Sequence, residues 1–306
     1  MRRQRGVALV TVMMVVAIAT LLAAQWMIAG RDAIEQQRLV RLNEQAWQFG
    51  LSMESWARQV LVMDNQGRPQ GAHSGHDSAS EPWAQPMPPM EVEGGQLAGQ
   101  LFAMDGGLNI NALADPEQTD LAYERLVALL AVLRLDRSLA DVIADYVDLD
   151  SERRAAGAED LTYLGMNPPR RAPNRPIMQT SELLHAARIS PQDYAVLEPH
   201  ITALPVAAEI NLNFASAELI QALIPELTAQ QAENLAQAGE FRDMGAFQNA
   251  LPEQLPFDPQ GLSVRSRYFL AHGVVWLDGE RFDFYSLLAE TGQLNHRSLY
   301  RSLGIH

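Results

Sequence analysis

Residues Val7 to Ala29 carry no charged side chain, and Arg2, Arg3 and Arg5 stand directly before them. As a helix rising ~1.5 Å per residue, that run reaches roughly 34 Å, more than the ~30 Å hydrocarbon core of a bilayer. The arginines on its short side predict a cytoplasmic N-terminal end. The chain beyond residue 30 is then expected on the far side of the membrane, which in a Gram-negative cell is the periplasm. A cleaved secretory signal is the alternative, with Ala17-Ile18-Ala19 as an A-x-A cleavage site. Against it, a signal's apolar region is normally ~7–15 residues long, and here the helical pattern runs on.

From Leu39 the apolar side chains recur as Leu39, Leu42, Ala46, Phe49, Met53, Trp56 and Val60. Steps of three and four trace one stripe down a helix. No proline interrupts residues 1 to 68, so the spacing predicts one rod over residues 7–62. Its residues 7–29 would lie in lipid, and its second half would pack against a globular head. Charge divides in the same place. Residues 1–60 hold a net +3, leaving −17 for the rest of a chain that totals −14 and contains arginine but no lysine. Such a split fits a membrane-associated segment joined to an acidic soluble part, and it disfavours a basic nucleic-acid binder. With no cysteine, disulfides, thiolate metal sites and cysteine nucleophiles are excluded.

Arg5-Gly6 followed by Val7-Ala8-Leu9-Val10-Thr11 resembles the processing site of type IV pilin-like proteins. The resemblance implies a leader over residues 1–6, cleavage by prepilin peptidase between Gly6 and Val7, and N-methylation of Val7. Most such proteins carry glutamate at the fifth mature position, where this chain has Thr11. A charge at membrane depth costs about 2.5–3.5 kcal/mol and is kept where it finds a partner. The pilin-like subfamily known for lacking that glutamate is the K-type minor pseudopilin of type II secretion systems, placed at the pseudopilus tip.

Between Asn65 and Gly95, glycine, proline, serine, histidine and aspartate dominate, which reads as a surface loop without regular structure. His73 and His76 there are expected to be solvated rather than to clip a metal. A short extended stretch, Gly99 to Met104, precedes a helical block with candidate helices at 118–133, 138–148, 180–187, 190–199, 216–223 and 228–237. Residues 262–275 and 282–290 then alternate Val, Phe, Tyr and Trp about the turn Asp278-Gly279, predicting a hairpin. Together these describe an α+β fold: a long N-terminal helix and an antiparallel sheet over 63–113 and 256–306, with an all-α insertion over 114–255. K-type pseudopilins are similar in architecture. They are similar also in the segments Ile110-Asn111-Ala112-Leu113, Asp145 to Asp150, Gly157 to Asp160 with Tyr163, Ser181-Glu182-Leu183 and Glu209 to Asn213. The chain departs where that family favours tryptophan and it has Tyr146.

The acidic loop after residue 147 is the best ligand candidate. Counting Asp148 as position one puts Asp150 at three, Glu152 at five and Glu159 at twelve, all carboxylate positions of a calcium loop. Position six is Arg153 in place of the glycine an EF-hand needs. Spacing therefore leaves open a calcium site of other geometry or a solvated acidic loop. The resemblance favours structural calcium, held by Asp148, Asp150, Glu159 and Asp160, with Asp145 and Glu152 as further candidates.

Ile210 to Ser216 with the next two helices resembles a helix-hairpin-helix unit, a module often used for DNA phosphates. Residues 207–255 hold seven acids and one arginine, and the turn Ile224-Pro225-Glu226-Leu227 lacks the glycines that would present amides to a phosphate. A protein scaffold is expected, with no nucleic acid bound. No G-x-S-x-G, H-E-x-x-H, P-loop or G-x-G-x-x-G occurs, and no enzyme is expected.

The resemblance implies a tip subunit that initiates or caps pseudopilus assembly, enabling export of folded proteins across the outer membrane. It implies I-type and J-type minor pseudopilins, other pseudopilins and prepilin peptidase as partners. Thr11, Leu39, Leu42, Phe49, Met53 and Trp56 are the candidate helix-packing residues. The alternative is a membrane-anchored periplasmic module that binds another protein through its acidic head.

Overall fold

The computed structural model describes residues 4–66, 75–205, 208–252, 255–292 and 295–304. Helix α1 (Gln4–Gln66) is continuous over 63 residues. Its first half exposes its apolar side chains, Leu9, Val15, Leu21, Trp26 and Met27 among them. That half includes a stretch with a mean hydropathy of 2.2, long and apolar enough to cross a membrane. In the second half Leu42, Ala46, Met53, Ala57 and Leu61 are buried. With Gly50 between Ala46 and Met53, they form one stripe in steps of three and four.

That stripe packs on a five-stranded antiparallel sheet ordered β1-β2-β7-β8-β9. The strands are β1 (Met87–Val92), β2 (Gly95–Ala103), β7 (Tyr268–Leu277), β8 (Glu280–Thr291) and β9 (Asn295–Leu303). Gly99 and Gly273 face each other across β2 and β7 and leave a trough for Met53. An added Cβ would meet Met53 at 2.0 Å from Gly99 and 2.3 Å from Gly273. At the β7–β8 turn Asp278 and Gly279 both take positive φ, 51° and 83°, as a two-residue hairpin turn requires. Arg38 of α1 reaches this turn, with Nη1 2.7 Å from Asp278 Oδ2 and Nη2 3.2 Å from Glu280 Oε1.

The loop expected over 65–95 contains a strand, β1. Its two prolines, Pro88 and Pro89, are compatible with pairing because β1 is an edge strand whose register slips between Met87 and Met90. β9 lies at the other edge and extends the predicted hairpin by one strand. His73 lies outside the described residues.

β2 and β7 are neighbours in the sheet, yet 164 residues separate Ala103 from Tyr268. The intervening chain forms β3 (Leu108–Asn109), α2 (Thr119–Val132), α3 (Leu139–Val147), α4 (Asp160–Leu164), α5 (Pro191–Leu197) and β4 (Ile201–Thr202). Next come β5 (Ile210–Asn211), α6 (Ala217–Leu223), α7 (Ala229–Ala238), α8 (Met244–Ala250) and β6 (Leu262–Ser263). Residues 180–187, expected as an α-helix, start as the 3-10 turn Thr180–His185. The block's own core is built on Leu126, Leu129, Leu130, Val142, Ile143, Tyr163, Leu219, Ile220 and Phe247, and also takes in Ile110 and Leu262. Tyr146 is 6% exposed and packs against Tyr163 with ring centroids 6.1 Å apart.

The helical block sits at one end of the sheet. Leu42 of α1 clusters with Leu97, Val275 and Leu277, whereas Ala57 and Leu61 cluster with Leu101 and Phe269. Ala103 and Tyr268, where the chain leaves and re-enters the sheet, therefore adjoin the C-terminal end of α1, far from its exposed apolar half.

Candidate functional site

Helix α3 buries Leu139, Val142, Ile143 and Val147, and ends at Asp148, whose backbone turns extended (φ −68°, ψ 171°). The chain crosses the loop and starts α4 with Glu159 as its N-cap residue. A rigid helix end and a helix start thus bring together carboxylates eleven positions apart. One oxygen each from Asp148, Asp150 and Glu159 lies within 4.8 Å of the others.

Asp148 and Glu159 are both 7% exposed. Burial, then the charges of Asp150, Asp145 and Glu159, push the Asp148 carboxyl up to about 7. Burial also raises Glu159, against a hydrogen bond from Asn174. Asp148 Oδ1 and Glu159 Oε1 are buried without a hydrogen-bond partner among the described residues. Buried acceptors are normally satisfied, and an orphan carboxylate oxygen costs more than a neutral one. A cation would reverse both the orphaning and the mutual repulsion. The donors are all hard oxygens, the class that calcium takes. Three of them within 4.8 Å of one another suit a hard cation such as calcium.

The remaining predicted ligands take other places. Asp160 Oδ1 accepts from the Ala172 N–H at 3.0 Å, and its other oxygen lies 3.6 Å from Arg171 Nη1. It closes the loop after α4 and stands outside the three-carboxylate group. Asp145 is fully buried; its oxygens accept from the Arg154 N–H at 3.3 and 3.1 Å. Glu152 is exposed, and its N–H donates to Asp150 Oδ1 at 2.7 Å, so it shapes the loop through its backbone. Asn174, which spacing did not flag, joins the site from the loop after α4. Its Nδ2 donates to Glu159 Oε2 at 3.2 Å and to the Asp150 carbonyl. The only sequence hint was an asparagine in a proline-rich stretch, Pro173-Asn174-Arg175-Pro176, where left-handed backbone is tolerated; its φ is 42°.

Among the helix-packing candidates, Leu42 and Met53 are buried, while Phe49 and Trp56 pack at the margins of the helix–sheet core. Leu39 remains 39% exposed, and Thr11 lies in the exposed first half of α1. Gly6 and Val7 lie near the N-terminal end of that helix.

The Ile-Asn segments are structural pins. Asn111 accepts from the Ile177 N–H at 2.8 Å and donates to the carbonyls of Ile177 and Leu204, both at 2.9 Å. Asn213 accepts from the Phe241 N–H at 2.9 Å and donates to the Phe241 carbonyl at 3.0 Å. In the turn between α6 and α7, Ile224 and Leu227 point into the core, and the Leu227 N–H bonds the Ile224 carbonyl. That turn packs as scaffold and presents no row of amides to a phosphate.

Known proteins agree with this architecture. The family described as type II secretion system (T2SS), protein K matches residues 106–206 and again 210–265. The type II secretion system protein K of Pseudomonas aeruginosa is 35% identical over 244 residues, 78% of this chain and 73% of that protein. The protein K of Pectobacterium carotovorum subsp. carotovorum is 29% identical over 313 residues, covering 95% and 94%. Among solved structures, one from the GspK-GspI-GspJ complex of enterotoxigenic Escherichia coli superimposes with a TM-score of 0.70 at 24% identity. It covers 86% of this chain and 98% of that one. The chain belongs to the type II secretion system protein K family, the K-type minor pseudopilins.

Proposed function

We propose that this minor pseudopilin occupies the tip of the type II secretion pseudopilus, where it initiates or caps the filament that exports folded proteins across the outer membrane. One observation carries the reading: the helical block is mounted at the end of the sheet that adjoins the C-terminal end of α1, far from its apolar half. With α1 anchored in the inner membrane and packed among partner helices, the block projects away from the membrane and obstructs a further subunit above it. Thr11 fits the same position, since a terminal subunit has no amine above it for a glutamate to pair with.

The related complex supports I-type and J-type minor pseudopilins as direct partners, with other pseudopilins below. Prepilin peptidase would cut between Gly6 and Val7 and methylate Val7, leaving the head periplasmic. Calcium would be structural, linking metal affinity to the folding of the acidic loop. The role is templating, and no residue is assigned to catalysis. Co-expression with the I-type and J-type partners should give a 1:1:1 complex by size-exclusion chromatography, and an epitope in the helical block should label one end of isolated pseudopili. Labelling along the filament length would contradict a tip position.

A further inference from the structure

The Asn174 side chain faces the carboxylate site in the wrong sense for a metal ligand. Its donor nitrogen points at acceptors: the Asp150 carbonyl, Ser151 Oγ at 3.4 Å and Glu159 Oε2 at 3.2 Å. Its own acceptor, Oδ1, is buried with no partner among the described residues. A primary amide offers two donors on one side and an acceptor on the other. Here the donor side meets the carboxylate group, and the acceptor side is wasted. Two further orphan oxygens, Asp148 Oδ1 and Glu159 Oε1, belong to the same group. Half a turn about the Cβ–Cγ bond would exchange the amide's two ends. It would add a fourth side-chain oxygen where three already lie within 4.8 Å of one another, nearer to the six to eight oxygens calcium takes.

We propose that Asn174 is a two-state amide at this site. With its NH₂ group inward it donates to Glu159 and the Asp150 carbonyl and offsets part of the carboxylates' repulsion. When calcium binds, the amide turns and Oδ1 becomes a ligand. The inference rests on the calcium reading above. It also ties the ion to the segment after α4. Neighbouring Arg175 pairs with Glu182, Nη2 to Oε2 2.9 Å, and Arg171 nearby is 80% exposed along its side chain. A calcium ion held by Asn174 would clamp this segment to the end of α3.

The test uses full-length protein in detergent, stripped with EGTA and titrated with calcium by calorimetry. Limited trypsin cleavage after Arg171 is followed with and without calcium. Asn174→Gly removes the amide and tolerates the positive φ. Asn174→Asp keeps an oxygen, removes the donor and also tolerates that backbone. We expect Asn174→Gly to weaken calcium binding ~10-fold or more and to lose calcium's protection of Arg171. Asn174→Asp should bind at least as tightly as the parent while unfolding at a lower temperature in EGTA. Parental affinity in Asn174→Gly, or equal losses of affinity in both variants, would overturn the amide switch and leave the calcium site standing. A parent chain that takes up no calcium would overturn both.

Discussion

The Glu54 carboxylate on α1 is held by the Arg301 guanidinium of β9, Nη2 to Oε1 2.9 Å. Arg58 and Ser286 complete the cluster, and Glu54 is 4% exposed. Burial pushes Glu54 up, but hydrogen bonds from Arg301 and Ser286 and the Arg58 charge outweigh it, so its pKa is lowered. A depressed carboxyl contributes stability above its unfolded value of 4.5, which is lost as pH falls through the lower folded value. Removing Arg301 leaves the buried Glu54 charge with Arg58 and Ser286 alone. Arg301→Ala should therefore destabilise the head by ~1.5–2 kcal/mol, the size of a charge-assisted hydrogen bond, while Arg297→Ala on the same strand changes little. Urea unfolding of the two variants at pH 7 compares them.

Asp105 lies where the chain leaves β2 for the helical block. It is 2% exposed, and its Oδ2 accepts from the Arg267 N–H at 2.7 Å. Burial pushes its carboxyl up to about 7. The folded state then holds a proton that the unfolded chain releases near 3.8. Its contribution to stability thus falls as pH rises from about 4 to about 7 and is level above that. Asp105→Asn, which keeps an acceptor for Arg267, should flatten this slope in thermal melts between pH 5 and 8. An unchanged slope would mean that another group sets it.

Calcium and protons should compete at Asp148. With this carboxyl raised to about 7, binding must expel a proton below that pH and none well above it. Calorimetric affinity should fall as pH is lowered from 8 to 6, with proton release detectable from the buffer dependence of the heat. Asp148→Asn should abolish binding, whereas Asp160→Asn should reduce it little, since Asp160 stands outside the three-carboxylate group.

Gly50 sets how closely α1 approaches the sheet. A Cβ there would lie 2.3 Å from Phe284 Cδ2, and that ring is fully buried against Trp47, centroids 5.4 Å apart. Alanine is the better helix former by about 1 kcal/mol, yet Gly50→Ala should lower stability by ~1–3 kcal/mol. Gly30→Ala, with nothing within 4 Å among the described residues, should be neutral or stabilising. The melting temperatures of the pair give the sign directly.

Much of the fold is legible in the sequence where one physical rule dominates. The stripe Leu42, Met53 and Trp56 announces the packed face of α1 because a helix repeats on one face. Leu39 continues the periodicity but is 39% exposed, since periodicity does not say where the partner sheet stops. β1 is hidden because Pro88 and Pro89 argue against a strand, and only its edge position makes them compatible with pairing. β9 is hidden because Asn295 to Leu303 is polar and bulged against β8 between Leu287 and Leu288. At the metal site, the spacing of Asp148, Asp150 and Glu159 along one loop is readable. Asn174 is not, because a tertiary contact brings it there from fifteen residues beyond Glu159.

Assembly as a pilin-like subunit is tested most simply by the intact mass of membrane-extracted protein from cells with and without prepilin peptidase. With the peptidase present, the chain should begin at Val7 and carry one added methyl group; without it, the unprocessed chain should remain. A chain beginning near residue 20, or the same mass in both strains, would contradict that assembly.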